Sequence, residues 1–527
     1  MSRQERRWCL ALSVVVIILT SLPYLAGFAS AGKDWTFTGF VFGVGDGNSY
    51  IAKMLQGAGG AWLFRTPYSA HPGAGIVAFL PHLLLGKLAA GVEIHLQLVL
   101  LYHTARLVMI PIAILATYRF SAIFLAQRVW RQWATILAAV GGGLGWLLVA
   151  SGQTALFGSL PLDLYSPETF GFLSFYGLPH LLLAKSLLLL ALAFYLQPSV
   201  GWRNGVVAGL LLLGLGLVQP LTVISAYAGI GAHLAALLLA RWLGSHQQPL
   251  GPWLRSAVAA IGISIPVVAY YAAATRFDPV VRQWAAQNIL PSPHPLHYLM
   301  AYAVVLVPAL LGARDLVRRE SVLGLFLPAW FAALILLAYA PVTVQRRLAD
   351  GAWVALAVLA ARGISTLRWS DRWRRVAAAL LLAAALPTTL ILIGGGWWAV
   401  ARPSVPLYRP AAEVRAMNWL ADHAAPEQVV LASFDTGNVL PAWAPVRSVI
   451  GHGPETAGLA ELRPKVEGFF GNAMTESERR ALLVGQSVDF VLVGPEERKL
   501  GPWESIPPEL RPVYDESGYT VYSVDEP

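Results

Sequence analysis

Val376-Ala-Ala-Ala-Leu-Leu-Leu-Ala-Ala-Ala-Leu-Pro-Thr-Thr-Leu-Ile-Leu-Ile393 carries no charge and follows directly on Arg372, Arg374 and Arg375. A helix needs about 20 apolar residues to cross the hydrocarbon layer of a bilayer. This run, with Leu10 to Leu22 and Leu181 to Tyr195, is too apolar for the half-buried helix of a soluble domain. The whole chain agrees: its 527 residues are 56% hydrophobic and 13% charged, with a mean hydropathy of +0.58. The expectation is a polytopic α-helical membrane protein. The basic start, Met1 to Arg7, leads into an apolar run without a convincing small-residue cleavage site, so it is expected to be an uncleaved first span. Cys9 is the only cysteine, which excludes an intramolecular disulfide and a thiolate metal cluster.

The formal net charge is +9. In a soluble chain that would suggest nucleic acid; here most of the arginine sits in short loops, where it reports topology, and no nucleic-acid partner is expected. The clusters are Arg3/Arg6/Arg7, Arg119/Arg128/Arg131, Arg203, Arg241/Arg255, Arg314/Arg318/Arg319 and Arg368/Arg372/Arg374/Arg375. Eleven crossings, near 8–28, 96–118, 132–150, 179–198, 204–219, 221–243, 254–273, 296–312, 321–340, 347–365 and 376–399, put all of them on the cytoplasmic side with the N-terminus. Counting 75–93 as a twelfth would invert every later loop, so that segment is expected to dip into or lie along the membrane. The external surface is then 29–95, 151–178, 274–295, 341–346 and the tail from about 400.

Residues 1–400 form the expected membrane domain and 401–527 an extracytoplasmic α/β domain. In the tail, Ala411 to His423 has helical spacing and Val429 to Ser433 is strand-like. Phe434 to Asn438 reads as a turn. Thr475 opens a helix over Glu476 to Val484, and strands are predicted at 488–493 and 519–524. No glycine-rich nucleotide fingerprint accompanies them.

Chemistry-bearing residues collect on the external side. Asp46, in Gly45-Asp46-Gly47-Asn48-Ser49-Tyr50, is a carboxylate at a membrane surface; it suits a general base or a divalent-cation ligand, or equally the cap of a helix starting near Asn48. Tyr50 opens an amphipathic stretch to Leu55, expected along the membrane surface. Glu168, in Ser166-Pro-Glu-Thr-Phe170, is a second acid on the same face, beside Asp163, or a first-turn stabiliser of a short helix. His180 stands at the outer end of a span as a donor, or as an ordinary interhelical partner. Gln345-Arg346-Arg347 breaks the charge asymmetry. Arginine binds phosphate bidentately, and a lipid-linked phosphate lies at that depth; snorkelling to ordinary headgroups is the competing role. His452 and Glu455, in Gly451-His-Gly-Pro-Glu-Thr456, stand on a tail loop that can fold back over the membrane face. Asp278, Arg282, Gln287, Asn288 and His294 are further external polar groups, suited to sugar hydroxyls or to plain loop structure.

This arrangement resembles the GT-C-type glycosyltransferases, polytopic enzymes that use polyprenyl-phosphate-linked sugars. It looks closest to the bacterial branch related to dolichyl-phosphate-mannose–protein mannosyltransferases. The phrases that carry the likeness are Gly-Asp-Gly-Asn-Ser-Tyr, Pro-Glu-Thr-Phe, Gln-Arg-Arg and Gly-His-Gly-Pro-Glu-Thr. The resemblance implies an inverting transfer with Asp46 as the catalytic position, Glu168 as a second catalytic acid, and Arg346 and Arg347 stabilising the leaving phosphate. Tyr50, His180, Gln345, His452 and Glu455 would complete the substrate site. It also implies a polyprenyl-phosphate-sugar donor, a glycan, lipid or protein acceptor, and a multi-pass place in the cell membrane. Many such enzymes carry adjacent acids where this chain has Asp46-Gly47, which favours a lone base over a Mg or Mn ion. Two other functions fit the same sequence: a transporter or flippase for a lipid-linked substrate, and a non-catalytic lipid-binding member.

Overall fold

The computed structural model describes all residues except 198–201, 245–248, 320–321, 472, 502–505 and 526–527; the expected span ends at 198 and 321 therefore lie outside the described residues. Contacts divide the chain into two compact units. One holds Met1–Ser21, Thr104–Tyr271 and Ile289–Gly395, the other Leu22–His103, Ala272–Asn288 and Gly396–Pro527.

Among the described residues, seven segments are long and apolar enough to cross a membrane: Arg3–Ser30, Ile94–Phe124, Pro220–Trp242, Gly251–Phe277, Pro295–Arg318, Gln345–Thr366 and Asp371–Val400. Pro179–Tyr195, Arg203–Val218 and Val322–Leu337 are shorter apolar helices. Ten of the eleven expected crossings fall on these segments. The exception is 132–150, which is no continuous helix: Arg128–Val140 stops at Gly141, and Gly145–Ala150 starts anew. The break is held from outside the helix. Gly142 N–H donates to Ala385 O at 2.7 Å, and Gly143 and Gly145 N–H donate to the Asp163 carboxylate at 3.0 and 3.1 Å. With the Thr388 hydroxyl at 2.6 Å on the same oxygen, Oδ2, buried Asp163 holds this break together.

In the first unit the Pro295–Arg318 and Ala352–Thr366 helices pack backbone to backbone. A Cβ on Gly312 would stand 1.9 Å from Leu359 O, and one on Gly363 1.9 Å from Pro308 O, so only glycine permits the approach. Trp330, Trp353 and Phe326 fill the surrounding core.

The second unit contains a short ribbon and a five-stranded sheet. In the ribbon β1 (Trp35–Phe37) pairs antiparallel with β2 (Tyr408–Pro410), with Thr36 opposite Arg409, and so ties the first loop to the tail. The sheet comprises β3 (Val429–Leu431), β4 (Arg447–Ser448), β5 (Phe490–Val493), β6 (Leu510–Glu516) and β7 (Tyr519–Val524), in the order β4-β3-β5-β7-β6. β3 runs parallel to β4 and β5; β7 runs antiparallel to β5 and β6. Alternation along the strands sends Val429, Leu431, Val491 and Val493 to one face, against Phe469, Phe470 and Leu483. Val430 and Leu492 go to the other, against Met417, Leu420 and Leu440. Helices cover both faces, the α/β build expected of the tail.

The expected helix at 411–423 is present, and Thr475 closes a capping box on Glu476–Gly485 as its Thr-Glu-Ser-Glu pattern predicts. Phe434 to Asn438 is not a turn. Ser433 accepts from Thr436 N–H and starts a helix, Phe434–Trp443, so the polar residues are its first turn. In the first loop, 75–93 contains only the seven-residue helix Leu80–Gly86, about 10 Å long and far short of a crossing. It packs on the Val44–Ala58 helix, whose Ile51, Ala52, Lys53 and Met54 are buried. The Tyr50–Leu55 stretch expected along a membrane surface is thus largely packed within protein.

Candidate functional site

Of the residues singled out in the sequence, Asp46, Tyr50, His452 and Glu455 lie in the second unit and Glu168, His180, Gln345, Arg346 and Arg347 in the first. In the second unit, Gly43 at φ 56° starts the Val44–Ala58 helix. That start lies upstream of the one expected near Asn48, so Asp46 is no N-cap. It stands in the first turn, where the helix dipole favours a carboxylate. Its side chain is 64% exposed, and its Oδ1 lies 3.1 Å from His452 Nε2. Ser49 and Lys53, three and seven residues on, share its helix face.

The 450–457 loop brings the partners. Gly437 and Gly451 touch through their backbones; a Cβ on Gly451 would sit 2.4 Å from the Gly437 carbonyl. The Thr456 hydroxyl accepts from the N–H groups of Gly451 and His452, both at 3.3 Å, and Gln287 brackets the loop through Thr456 O at 2.7 Å and Gly458 N at 2.9 Å. The Gln287 amide therefore serves this loop. Glu455 Oε1 accepts from Lys53 Nζ at 2.6 Å and Ser49 Oγ at 2.9 Å, and lies 3.4 Å from His452 Nδ1. Lys53 is fully buried beneath the Phe79 ring, 4.1 Å from its centroid. Burial pushes its ammonium below its ordinary range, and Glu455 pulls it back. Asn438 bonds both Asn48, at 2.9 Å, and Gly45 O, at 3.2 Å, which pins the first turn carrying Asp46. Tyr50 stacks on His82, with ring centroids 4.8 Å apart.

A divalent cation needs several oxygen ligands with their charge available. Glu455 Oε1 is already held by Lys53 and Ser49, and among the described residues no three His, Cys, Asp or Glu side chains are placed to hold a metal ion, so this cluster does not fit Mg or Mn.

In the first unit Glu168 lies in a turn closed by Phe170 N–H on Ser166 O at 3.0 Å, not in a short helix. It is buried, with Oε1 3.2 Å from Arg347 Nε. Gln345 to Ala349 form a 3-10 turn. The Arg346 guanidinium stands 4.7 Å from the Tyr165 ring centroid, and its buried Nε has no hydrogen-bond partner among the described residues. Gln345 lies with its amide between Ala340 O at 2.5 Å and Ser292 N at 3.1 Å, a structural brace. His180 is the second residue of the Pro179–Tyr195 helix.

Sequence reasoning missed Lys53, Ser49, Asn438, Lys185 and Asp350. Asp350 receives the Thr222 hydroxyl at 3.1 Å and lies 3.8 Å from Lys185 Nζ. For this pair a signal existed: each is an ionisable residue inside an apolar run.

The fold is that of a polytopic α-helical membrane protein with an α/β tail, and it is GT-C-like. No protein-family description matches the sequence, and no curated protein matches it. Among solved structures, the chain is similar to the oligosaccharyltransferase of Archaeoglobus fulgidus tethered to an acceptor peptide. The TM-score is 0.60 at 14% identity, over 92% of this chain and 69% of that one. The same archaeal enzyme, AglB, with an inhibitory peptide and a dolichol-phosphate gives 0.58 at 14% identity, over 93% and 70%. The mycobacterial arabinofuranosyltransferase AftD gives 0.57 at 15% identity; this chain matches over its full length but spans only 40% of AftD.

Proposed function

We propose that the chain is a membrane glycosyltransferase that moves a sugar from a polyprenyl-phosphate donor to an acceptor on the extracytoplasmic face, with inversion and with Asp46 as general base. The observation that carries this is Asp46 itself: a mostly exposed carboxylate on a helix first turn, held at one oxygen by His452, in a fold shared with glycosyltransferases. The acceptor hydroxyl gives its proton to Asp46 as its oxygen attacks the anomeric carbon, and the polyprenyl phosphate leaves. In the first unit Arg346, whose Nε has no hydrogen-bond partner among the described residues and whose guanidinium lies over the Tyr165 ring, is suited to phosphate recognition, and Glu168 orients Arg347 beside it. The dolichol-phosphate in the archaeal structure supports a lipid-phosphate donor by analogy of fold.

The test uses the full chain in nanodiscs with a panel of undecaprenyl-phosphate-linked hexoses and pentoses, and release of undecaprenyl phosphate as the readout. Asp46→Asn is expected to lower release by about 10²-fold or more, with melting temperature and donor binding retained. Full activity in that variant refutes the base assignment.

A further inference from the structure

Four ionisable side chains of the second unit stand in a row, and the reaction proposed above uses only the outermost. Lys53 Nζ is 2.6 Å from Glu455 Oε1, that oxygen is 3.4 Å from His452 Nδ1, and His452 Nε2 is 3.1 Å from Asp46 Oδ1. Exposure rises along the row: the side chains of Lys53 and Glu455 are 1% and 4% exposed, His452 12% and Asp46 64%. The groups facing His452 are Asp46 from the Val44–Ala58 helix, Lys53 from the same helix by way of Glu455, Glu455 from its own loop, and Tyr68, whose ring centroid is 5.4 Å away.

An exposed aspartate samples several rotamers, and a general base must hold one. The imidazole supplies that constraint from a nearly closed pocket. Its backbone N–H is tied to Thr456 and Nε2 meets Asp46, while Nδ1, 3.4 Å from Glu455 Oε1, has no hydrogen-bond partner among the described residues. A loop needing only a staple has it already in Gln287 and Thr456; a fully buried ammonium with its counter-charge is a costly addition to that. We propose that His452 is a positioning residue for Asp46, and that the buried Lys53–Glu455 pair sets the position of the loop that presents it. The inference rests on Asp46 being the base. His452 donates its Nε2 proton to Oδ1 and keeps it, and the acceptor proton passes to the Asp46 carboxylate. The acceptor O–H and the sugar–phosphate C–O bonds break, the new glycosidic C–O bond forms, and the electron pair of the broken C–O bond leaves on the phosphate.

The undecaprenyl phosphate release assay tests this with His452→Phe and His452→Gln. The phenylalanine variant should lose about 10²-fold in kcat, with the donor KM changed by no more than about twofold. Glutamine places an N–H donor where Nε2 stands and should recover the rate to within about tenfold of the parent protein. Equal slowness of the two variants, or a loss confined to KM, overturns the proposal. A Lys53→Met/Glu455→Gln double variant removes both buried charges together and should stay folded while losing about tenfold in kcat; an unchanged kcat overturns the role of the pair. If the parent protein releases no undecaprenyl phosphate from any donor, the glycosyltransferase assignment fails, and histidine side-chain 15N NMR decides the geometry separately. The His452 signal, assigned by its loss in His452→Gln, should show a proton bonded to Nε2 and should move on Asp46→Asn. A bare Nε2, or a signal indifferent to Asp46, overturns the inference.

Discussion

Replacing Lys53 by methionine keeps most of the buried aliphatic stem and removes the charge. Lys53 is fully buried, and Glu455, which it meets at 2.6 Å, has a side chain only 4% exposed. Removing one member of such a pair leaves the other charge buried without compensation, a loss of about 3–5 kcal/mol. For a unit of about 230 residues, each kcal/mol lowers the melting temperature by about 2–4 °C, so Lys53→Met should melt about 6–20 °C lower. Glu455→Gln should cost a similar amount, because it strands the ammonium instead. The double variant removes both charges and should recover to within about 2 kcal/mol of the parent, giving a coupling of at least about 4 kcal/mol in a double-mutant cycle. Thermal unfolding in nanodiscs, followed by tryptophan fluorescence, measures all four proteins. The contact of Lys53 with the Phe79 ring offers a competing source of stability, worth about 2 kcal/mol when desolvated. If Lys53→Met is unstable while Glu455→Gln is not, the ring contact is the cause. If Lys53→Met shifts stability by less than about 1 kcal/mol, or the double variant is as unstable as the singles, the ion-pair argument is wrong.

Arg346→Ala should weaken binding of undecaprenyl phosphate by about 10–100-fold, the loss of one or two charge-assisted hydrogen bonds; unchanged affinity refutes its phosphate role. Gly451→Ala forces a methyl group against the Gly437 backbone, so both melting temperature and transfer rate should fall, and a variant unchanged in both shows that the approach is not required. Cysteines placed at Ala285 and Asp435 should react with a membrane-impermeant maleimide added to intact cells. Reaction only after lysis places them in the cytoplasm and refutes the charge-based topology.

Apolar length made the membrane helices legible, because crossing hydrocarbon demands a run that few soluble helices carry. It failed at 132–150. There the composition is apolar but Gly141-Gly142-Gly143 leaves the helix, and the backbone groups are satisfied by Ala385 and Asp163, partners no local pattern announces. Phe434 to Asn438 misled in the opposite direction: aspartate, threonine, glycine and asparagine mark turns, yet after Ser433 they form a capped first turn. Of the second-unit cluster, Asp46, His452 and Glu455 stood out as polar groups on short loop phrases. Lys53 did not. In an amphipathic stretch a lysine every few residues normally marks a solvated face, and its partner lies 402 residues away.

That separation bears on what the tail does. Of the groups around Asp46, Asn48 comes from its own helix, whereas Asn438, His452 and Glu455 all come from the tail. The tail reaches the first loop at further points as well: β2 pairs with β1, Ser448 N–H donates to Pro67 O at 2.8 Å, and Arg447 donates to Ala70 O at 2.6 Å. Ala70 itself packs in the core beneath the sheet. The first loop is thus folded on the tail by strand pairing, hydrogen bonds and core packing together. The ion pair of Lys53 with Glu455 joins the first loop to the tail at a buried point. The orientation of Asp46 is accordingly a property of the docked pair and not of the Gly-Asp-Gly-Asn phrase alone, which is why the phrase marks the position while the geometry resides some 400 residues further along the chain.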